Sequence, residues 1–363
     1  MKSIEKLAEI TTSDISDLLP IILEKVETSA RPKLIADQFF KWSNRPAQTG
    51  DREVRIPIAG TVSASFVDEG SSLSGSEVES TLSYVTVYPK KIGAAVKITT
   101  ETLRFKKVDI LEMNLEEIGV AIAKKTNELL FNELLGLWDW SAGTYSLASN
   151  TETITGQGAD ATYTLSKSPI VKVISAIKTS DESAVTVSAV DYYDGKVKIA
   201  DDLSGDNLRI TYYYSTRGTY IDANTKGSLS YEDIVNAVVK LKASYYNPDV
   251  IIIPEANRAD ILTDNRFIDA SAYGSSEPIR TGEVGKIAGL KVFFDATIEN
   301  VALVLDTSYC ARGYTFRELD MQEDRDILAD VHKVVFWKEI GARVIRDDAI
   351  CAIFNIASDA SDL

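Results

Sequence analysis

An α+β body carrying an all-β insertion is the fold class the sequence predicts, on three observations. Between Arg52 and Phe105 apolar and polar residues alternate with period two along two arms, the mark of a strand pair with one covered face. From Asp109 apolar residues recur at helical spacing over several turns. Between Thr144 and Gly227 that helical period vanishes and Thr, Tyr, Val, Ser and Asp dominate, whereas strand and helix patterns alternate again beyond Ser228.

The 363 residues, 45% hydrophobic and 26% charged, suffice for two or three domains. No apolar run approaches the ~20 residues of a membrane span, and Met1 to Thr12 lacks the apolar core of a signal peptide, so a cytoplasmic site of assembly is expected. Cys310 and Cys351 are single and far apart, which gives neither a disulfide framework nor a paired-cysteine metal site. A net charge of −15 argues against a chain that grips nucleic acid phosphates, though not against a container that must avoid sticking to them.

In order along the chain, Ser13 to Trp42 reads as an amphipathic arm of one or two helices, broken by Pro20 and Pro32. Leu18, Leu19, Ile22, Leu23 and Val26 form its apolar stripe, in pieces too short to stand without tertiary contacts. The ribbon follows. Val54, Ile56, Ile58, Val62, Ala64 and Phe66 share one parity on the outgoing arm, and Leu82, Tyr84, Tyr88, Ile92, Ala94, Val96 and Ile98 share one on the return arm. Each arm reaches ~50 Å at about 3.3 Å per residue. An isolated hairpin is marginal in water, so something outside the ribbon must cover it, most simply a neighbouring copy of the chain.

Asp109 with Glu112 fits a helix start, and Leu111, Leu115, Ile118, Ile122 and Leu129 continue as a stripe towards Leu137. In the β-rich stretch, Asp194-Gly195 between Val190–Tyr193 and Lys196–Ile199 predicts a two-residue hairpin turn. Ser204 to Asn207 predicts a second turn ahead of Leu208–Tyr214, and the tyrosines read as cross-strand packing rather than a stacking platform. Its sharp ends mark the stretch as a separable, outward module. Beyond it, Ser230 and Asp233 open a helix with Ile234, Val235, Val238 and Leu241 as its stripe. Val250 to Ile253 is a fully apolar strand, Glu255 to Thr263 a helix, and Ala270 to Gly285 a loop. Leu290–Phe294 and Val301–Leu305 are strands, and Lys333–Ile345 with Ala349–Ile356 reads as a last strand pair turning at Arg346-Asp347-Asp348.

No catalytic constellation emerges. His332 is the only histidine and sits among valines, which suits an ordinary strand residue. Gly282 to Lys286 is too short for a phosphate loop and Ile287 stands where a hydroxyl residue must follow the lysine. Asp347 and Asp348 are adjacent, so on a strand they point to opposite faces. Asp191, Asp194, Asp201, Asp202 and Asp206 are the one cluster to weigh for calcium, without the EF-hand order. No catalytic residue, cofactor or metal is therefore expected.

The arm, the ribbon, the helix from Asp109, and a closing α/β region running from Gly285-Lys286-Ile287-Ala288-Gly289-Leu290-Lys291-Val292 to Ala349-Ile350-Cys351-Ala352-Ile353-Phe354 resemble the major capsid proteins of tailed bacteriophages and archaeal tailed viruses, the fold named after phage Hong Kong 97. The resemblance covers the chain except Thr144 to Gly227. It implies an N-terminal arm (1–50), an E-loop (51–100), a P-domain holding the spine helix (101–143 and 331–363), an inserted β domain (144–227) and an A-domain (228–330). It further implies a non-enzymatic shell protein that self-assembles into hexamers and pentamers around a double-stranded DNA genome. Such a protein is assembled in the host cytoplasm, resides in the virion and touches no membrane; scaffold, portal or decoration proteins are further partners to expect. The arm starts almost at Met1, so a separate scaffold, none, or a processed chain stay open. The ribbon tip, Asp68 to Ser80, has no lysine, so covalent cross-linking through it is not expected.

Asp68, Glu69, Glu77 and Glu79 crowd four carboxylates into that tip, and docking on a basic patch of a neighbour follows, with Lys106 and Lys107 as candidate receivers. The bland alternative is that these acids only keep an exposed edge soluble. Two other functions fit the chain less well: an encapsulin shell of the same fold enclosing a cargo enzyme, and a carboxylate-using hydrolase with a β binding module, which needs two acids in one cleft.

Overall fold

The computed structural model describes residues 26, 35–58, 83–99, 108–140, 148–263, 286–326 and 331–362. Strand β1 (Lys41–Ser43), a short helix α1 (Arg45–Thr49), β2 (Val54–Ile58), β3 (Ser83–Val87) and β4 (Lys90–Thr99) lead into the long helix α2 (Val108–Leu135). Six strands follow: β5 (Ser149–Thr155), β6 (Ala161–Thr164), β7 (Ile170–Lys178), β8 (Val187–Asp191), β9 (Lys196–Ile199) and β10 (Asn207–Tyr214). Next come β11 (Tyr220–Asp222), α3 (Tyr231–Ala243), β12 (Val250–Pro254), α4 (Arg258–Thr263), β13 (Lys286–Ile287), β14 (Leu290–Asp295), β15 (Ala302–Leu305), β16 (Ala311–Asp326), β17 (Val331–Val344) and β18 (Ile350–Phe354).

Helix α2 runs 28 residues, ~42 Å at 1.5 Å per residue. Its stripe buries Ile118, Ile122, Leu129 and Leu134. It stops at Gly136, whose φ of 74° belongs to the left-handed region that glycine enters freely. There Leu137 N–H reaches back to the Asn132 carbonyl at 2.8 Å and closes the last turn. The helix packs on a four-stranded sheet of order β1-β16-β17-β4.

Strand β16 has no clean alternation in Ala311–Asp326, so no local pattern marks it as a strand. It forms because β17 pairs along its length, with register shifts between Thr315 and Asp320 that absorb the irregular pattern. The arm is also not helical up to Trp42. A 3₁₀ turn at Ala36–Phe39 gives way to β1, which pairs in parallel with β16 and seats Trp42 against Gly313, where a Cβ has no room.

The ribbon differs from its expected form in two ways. Only Ser83–Val87 of the return arm pairs with β2; after Pro89 the chain joins the body as β4, paired with β17 from Lys90 to Thr99. Val54 faces Val87 and Ile56 faces Val85, so the covered face carries Val85 and Val87, while Tyr84 lies opposite Pro57 on the other face and is 57% exposed. The residues that follow Ile58 and precede Ser83 lie outside the described part of the chain.

A six-stranded mixed sheet, β11-β18-β15-β12-β14-β13, forms the second layer. Val250–Pro254 is buried at every position, as expected of a central strand. Helix α3 packs Ile234, Ala237 and Leu241 on this sheet and opens with the predicted capping box, Ser230 and Asp233 each bonding the other's backbone N–H. The expected last strand pair does not exist. β17 belongs to the four-stranded sheet and β18 to the six-stranded one, so the turn at Asp347–Ala349 carries the chain from one sheet to the other. Sheet membership therefore crosses the boundary drawn at 330, with β16 beside β17 and β18 beside β15.

Residues 149–214 form two three-stranded sheets, β5-β10-β7 and β6-β9-β8. The loop after β8 is four residues long rather than two, since Asp191 pairs with Lys196. Asp191 accepts the Asp194 N–H at 2.9 Å and stabilises this wider turn, with Gly195 alone at positive φ.

Candidate functional site

Two buried polar hubs hold the layers in one arrangement. The first centres on Glu133 of α2, which is 1% exposed. Its carboxylate takes Arg217 at 3.1 Å and Arg343 at 3.6 Å, the Val344 N–H at 2.9 Å and the Trp140 indole N–H at 2.9 Å. Burial pushes the Glu133 carboxyl above its ordinary range, and the two arginines, Val344 and Trp140 oppose it. Arg217 also donates to the Glu133 carbonyl and pairs with Asp347. One guanidinium thus ties the end of the long helix, the exit of the β-rich stretch and the turn between the two sheets.

The second hub is Asn355, fully buried just after β18 and at φ 62°. Its Oδ1 accepts the Tyr192 N–H at 2.7 Å, and its Nδ2 donates to Asp191 at 2.9 Å and Asp222 at 2.7 Å. Lys226 closes the ring on Asp191 at 2.6 Å. Burial alone raises the Asp191 carboxyl, but the Asp194 N–H, Lys226 and Asn355 together hold it below the usual aspartate range. Burial pushes Asp222 the other way, upward. The Tyr192 hydroxyl donates to Asp359 at 2.6 Å, and burial with that carboxylate raises its pKa. Lys172 pairs with Glu299, and Asn300 donates to the Val171 carbonyl at 3.3 Å. The β-rich stretch is therefore bolted to the body by buried polar contacts and shares its apolar core, which corrects the expectation of a free-standing module.

None of the residues proposed for docking is described: Asp68, Glu69, Glu77, Glu79, Lys106 and Lys107 all lie outside the described part, as do Leu18 to Leu23 of the arm. Val26 is fully buried in the main core. At the root of the ribbon, Ser43, Arg45, Pro57, Arg312 and Tyr314 line a cleft of about 390 Å³ that sequence reasoning missed, because β1, β2 and β16 meet there only in the fold.

The acids weighed for calcium are spent separately. Asp191 serves the second hub, Asp194 pairs with Lys196, Asp201 accepts the Thr186 N–H, Asp202 the Ser204 N–H, and Asp206 the Thr179 and Ser180 hydroxyls and the Asn207 N–H. Among the described residues no cluster of three or more His, Cys, Asp or Glu is placed to hold a metal. His332 pairs through its backbone with Arg325 and Ile98 in the four-stranded sheet. Cys310 and Cys351 are buried and free, and burial pushes both thiols up to about 12. Among the described residues, no helix is long and apolar enough to cross a membrane.

No family model matches the chain, and no curated protein matches it in sequence. Solved structures do. A chain from Mycobacterium phage Che8 matches with a TM-score of 0.54 at 12% identity, over 90% of this chain and 92% of that one. The capsid of the native GTA particle matches with a TM-score of 0.54 at 12% identity, over 89% and 90%. The capsid of cyanophage P-SCSP1u matches with a TM-score of 0.54 at 12% identity, over 87% and 86%. The chain has the fold of phage capsid chains, as the order of its parts predicted.

Proposed function

We propose that this chain is a major capsid protein whose copies form hexamers and pentamers of an icosahedral shell around a double-stranded DNA genome. The observation that carries this reading is the fold likeness to capsid chains over nearly the whole length of both partners. On this reading α2 with the four-stranded sheet is the P-domain, the six-stranded sheet with α3 and α4 is the A-domain, β2 and β3 root the E-loop, and 149–214 is an insertion. The two hubs make these parts one stiff tile. A tile that flexes loses complementarity with its neighbours, and a closed shell multiplies each misfit by the number of contacts. The charge of −15 suits an inner wall that does not trap packaged phosphates. Scaffold, portal and decoration proteins remain partners to look for, and the particle is formed in the host cytoplasm.

The test is expression of the chain alone, followed by size-exclusion chromatography and electron microscopy of the void fraction. Closed icosahedral particles, with nuclease-protected DNA when made in the presence of packaging proteins, support the reading. A stable monomer across concentration and salt sinks it. Particles that enclose protein cargo and exclude DNA assign the chain to the encapsulin class.

A further inference from the structure

Past β18 the chain leaves the six-stranded sheet and crosses to the β-rich stretch. Asn355, at φ 62°, ends the strand, and a 3₁₀ turn follows at Ser358–Asp362. The crossing is pinned at two points. Ile356 is fully buried in the body with Ile234, Ile251 and Ile353, and its carbonyl accepts the Asn257 side-chain amide at 2.8 Å. Ala360 is fully buried in the other apolar cluster, which holds Val190 and Tyr192 of the β-rich stretch, and the turn lies against β8. Between these points the Tyr192 hydroxyl donates to the exposed Asp359 carboxylate at 2.6 Å, the short length of a charge-assisted bond.

What holds the far end is slight. Residues 357–362 read Ala-Ser-Asp-Ala-Ser-Asp, so no large side chain anchors the turn. The buried methyl of Ala360 and the bond to Asp359 do so instead. The near end is different, because Asn355 and Ile356 belong to the second hub and to the core of the sheet. A segment so unevenly fixed opens locally at a free energy well below that of global unfolding. It also sits where opening matters. Asp359 rims a cleft of about 540 Å³ between β7 and β8 whose walls include Val173, Ile174 and Val187. The two arms meet at either end of it, the Ile170 N–H on the Tyr192 carbonyl at 2.7 Å and the Val185 N–H on the Ala176 carbonyl at 2.9 Å.

We propose that residues 356–362 are a strap that fastens the β-rich stretch to the body and opens ahead of the rest of that junction. Closed, it holds Tyr192 and so fixes the end of the cleft that Tyr192 forms with Ile170. Open, it leaves the Asn355 hub in place, so the arms β7 and β8 gain freedom to part while neither the stretch nor the body unfolds. This behaviour belongs to the single chain and does not depend on whether copies assemble.

Hydrogen exchange on the full-length chain reads the strap directly. The Ala360 amide, bonded to the Ala357 carbonyl, is expected to exchange first, the amides of Tyr192 and Ile170 next, and that of Ile252 in β12 last. Tyr192→Phe and Asp359→Ala each raise exchange at Ala360 several-fold, and the double variant raises it no further, because both substitutions remove the same bond. A chain ending at Ile356 keeps a cooperative melt and exchanges several-fold faster at Tyr192 and Ile170, with Ile252 unchanged. Exchange of Ala360 in step with Ile252 overturns the strap, as do wild-type rates at Tyr192 and Ile170 in the shortened chain. A shortened chain without a cooperative melt makes the tail part of the core, which overturns it too.

Discussion

Glu133 shows how one side chain can carry a junction. Its buried carboxylate takes Arg217, which also pairs with Asp347, and the part-exposed Arg343, so removing its charge leaves Arg217 less compensated where burial penalises a cation. Glu133→Gln keeps the shape and some hydrogen bonds yet loses the charge. We expect it to lower stability by about 1–3 kcal/mol, the cost of leaving buried charged partners under-satisfied, read as a lower denaturant midpoint at unchanged slope. Asn355 poses a different problem, since it combines a left-handed backbone with three side-chain hydrogen bonds to buried groups. Asn355→Gly retains the backbone freedom and loses only the hub, at about 1–3 kcal/mol for the stranded polar partners. Asn355→Ala adds backbone strain and is expected to be the worse of the two in the same melt; equal loss in both variants would show the positive φ to be unimportant.

At the scale of elements, the β-rich stretch and the body depend on each other. Excising 149–214 takes Tyr192 and Asp191 from Asn355 and the Tyr192 hydroxyl from Asp359, and bares the apolar surface that β7 and β10 cover. We expect a Gly/Ser linker in its place to yield insoluble or molten protein, and a soluble protein with a cooperative melt would refute that interdependence. Acid loosens the same junction. Asp191 has a depressed folded pKa, so its contribution is fully present above the ordinary aspartate value of 3.8 and is lost as pH falls through the folded value. Asp222 is shifted upward, and its protonated form tolerates burial, so it does not resist the change. Hydrogen exchange at Tyr192 and Asp194 is expected to rise below pH ~4 before that of the six-stranded sheet. Asp191→Asn is expected to abolish the difference.

For the whole molecule, the arm carries an apolar stripe in its sequence and the ribbon exposes Tyr84 and Tyr88. Deleting residues 1–25 spares Val26, which is buried in the core, and is expected to leave a folded protomer with a reduced particle yield by electron microscopy. Deleting 59–82 and joining Ile58 to Ser83 by a short turn is expected to keep the melt and stop assembly, because β2 and β3 still pair. Normal particles from either deletion would show that segment to be dispensable for assembly.

Local chemistry made much of this chain legible in its sequence. The span of α2, the capping box of α3, the apolar run of β12 and the turn before β10 all follow from interactions within a few residues, which a sequence displays directly. The alternation of β2 and β4 was legible for the same reason, and the order of these parts was enough to suggest the capsid fold. Pairing partners were not. Whether β17 turns back on β18 or crosses to another sheet depends on which distant strand buries it, and β16 owes its existence to β17 rather than to its own pattern. The face of the ribbon that carries Tyr84 depended on a one-residue choice of register, which flips every side chain. The two hubs and the cleft where Arg45, Pro57 and Arg312 meet lie beyond any local rule, because their members come from segments up to hundreds of residues apart. Such groups acquire a common environment, and so a shifted pKa, only when folding removes the water between them.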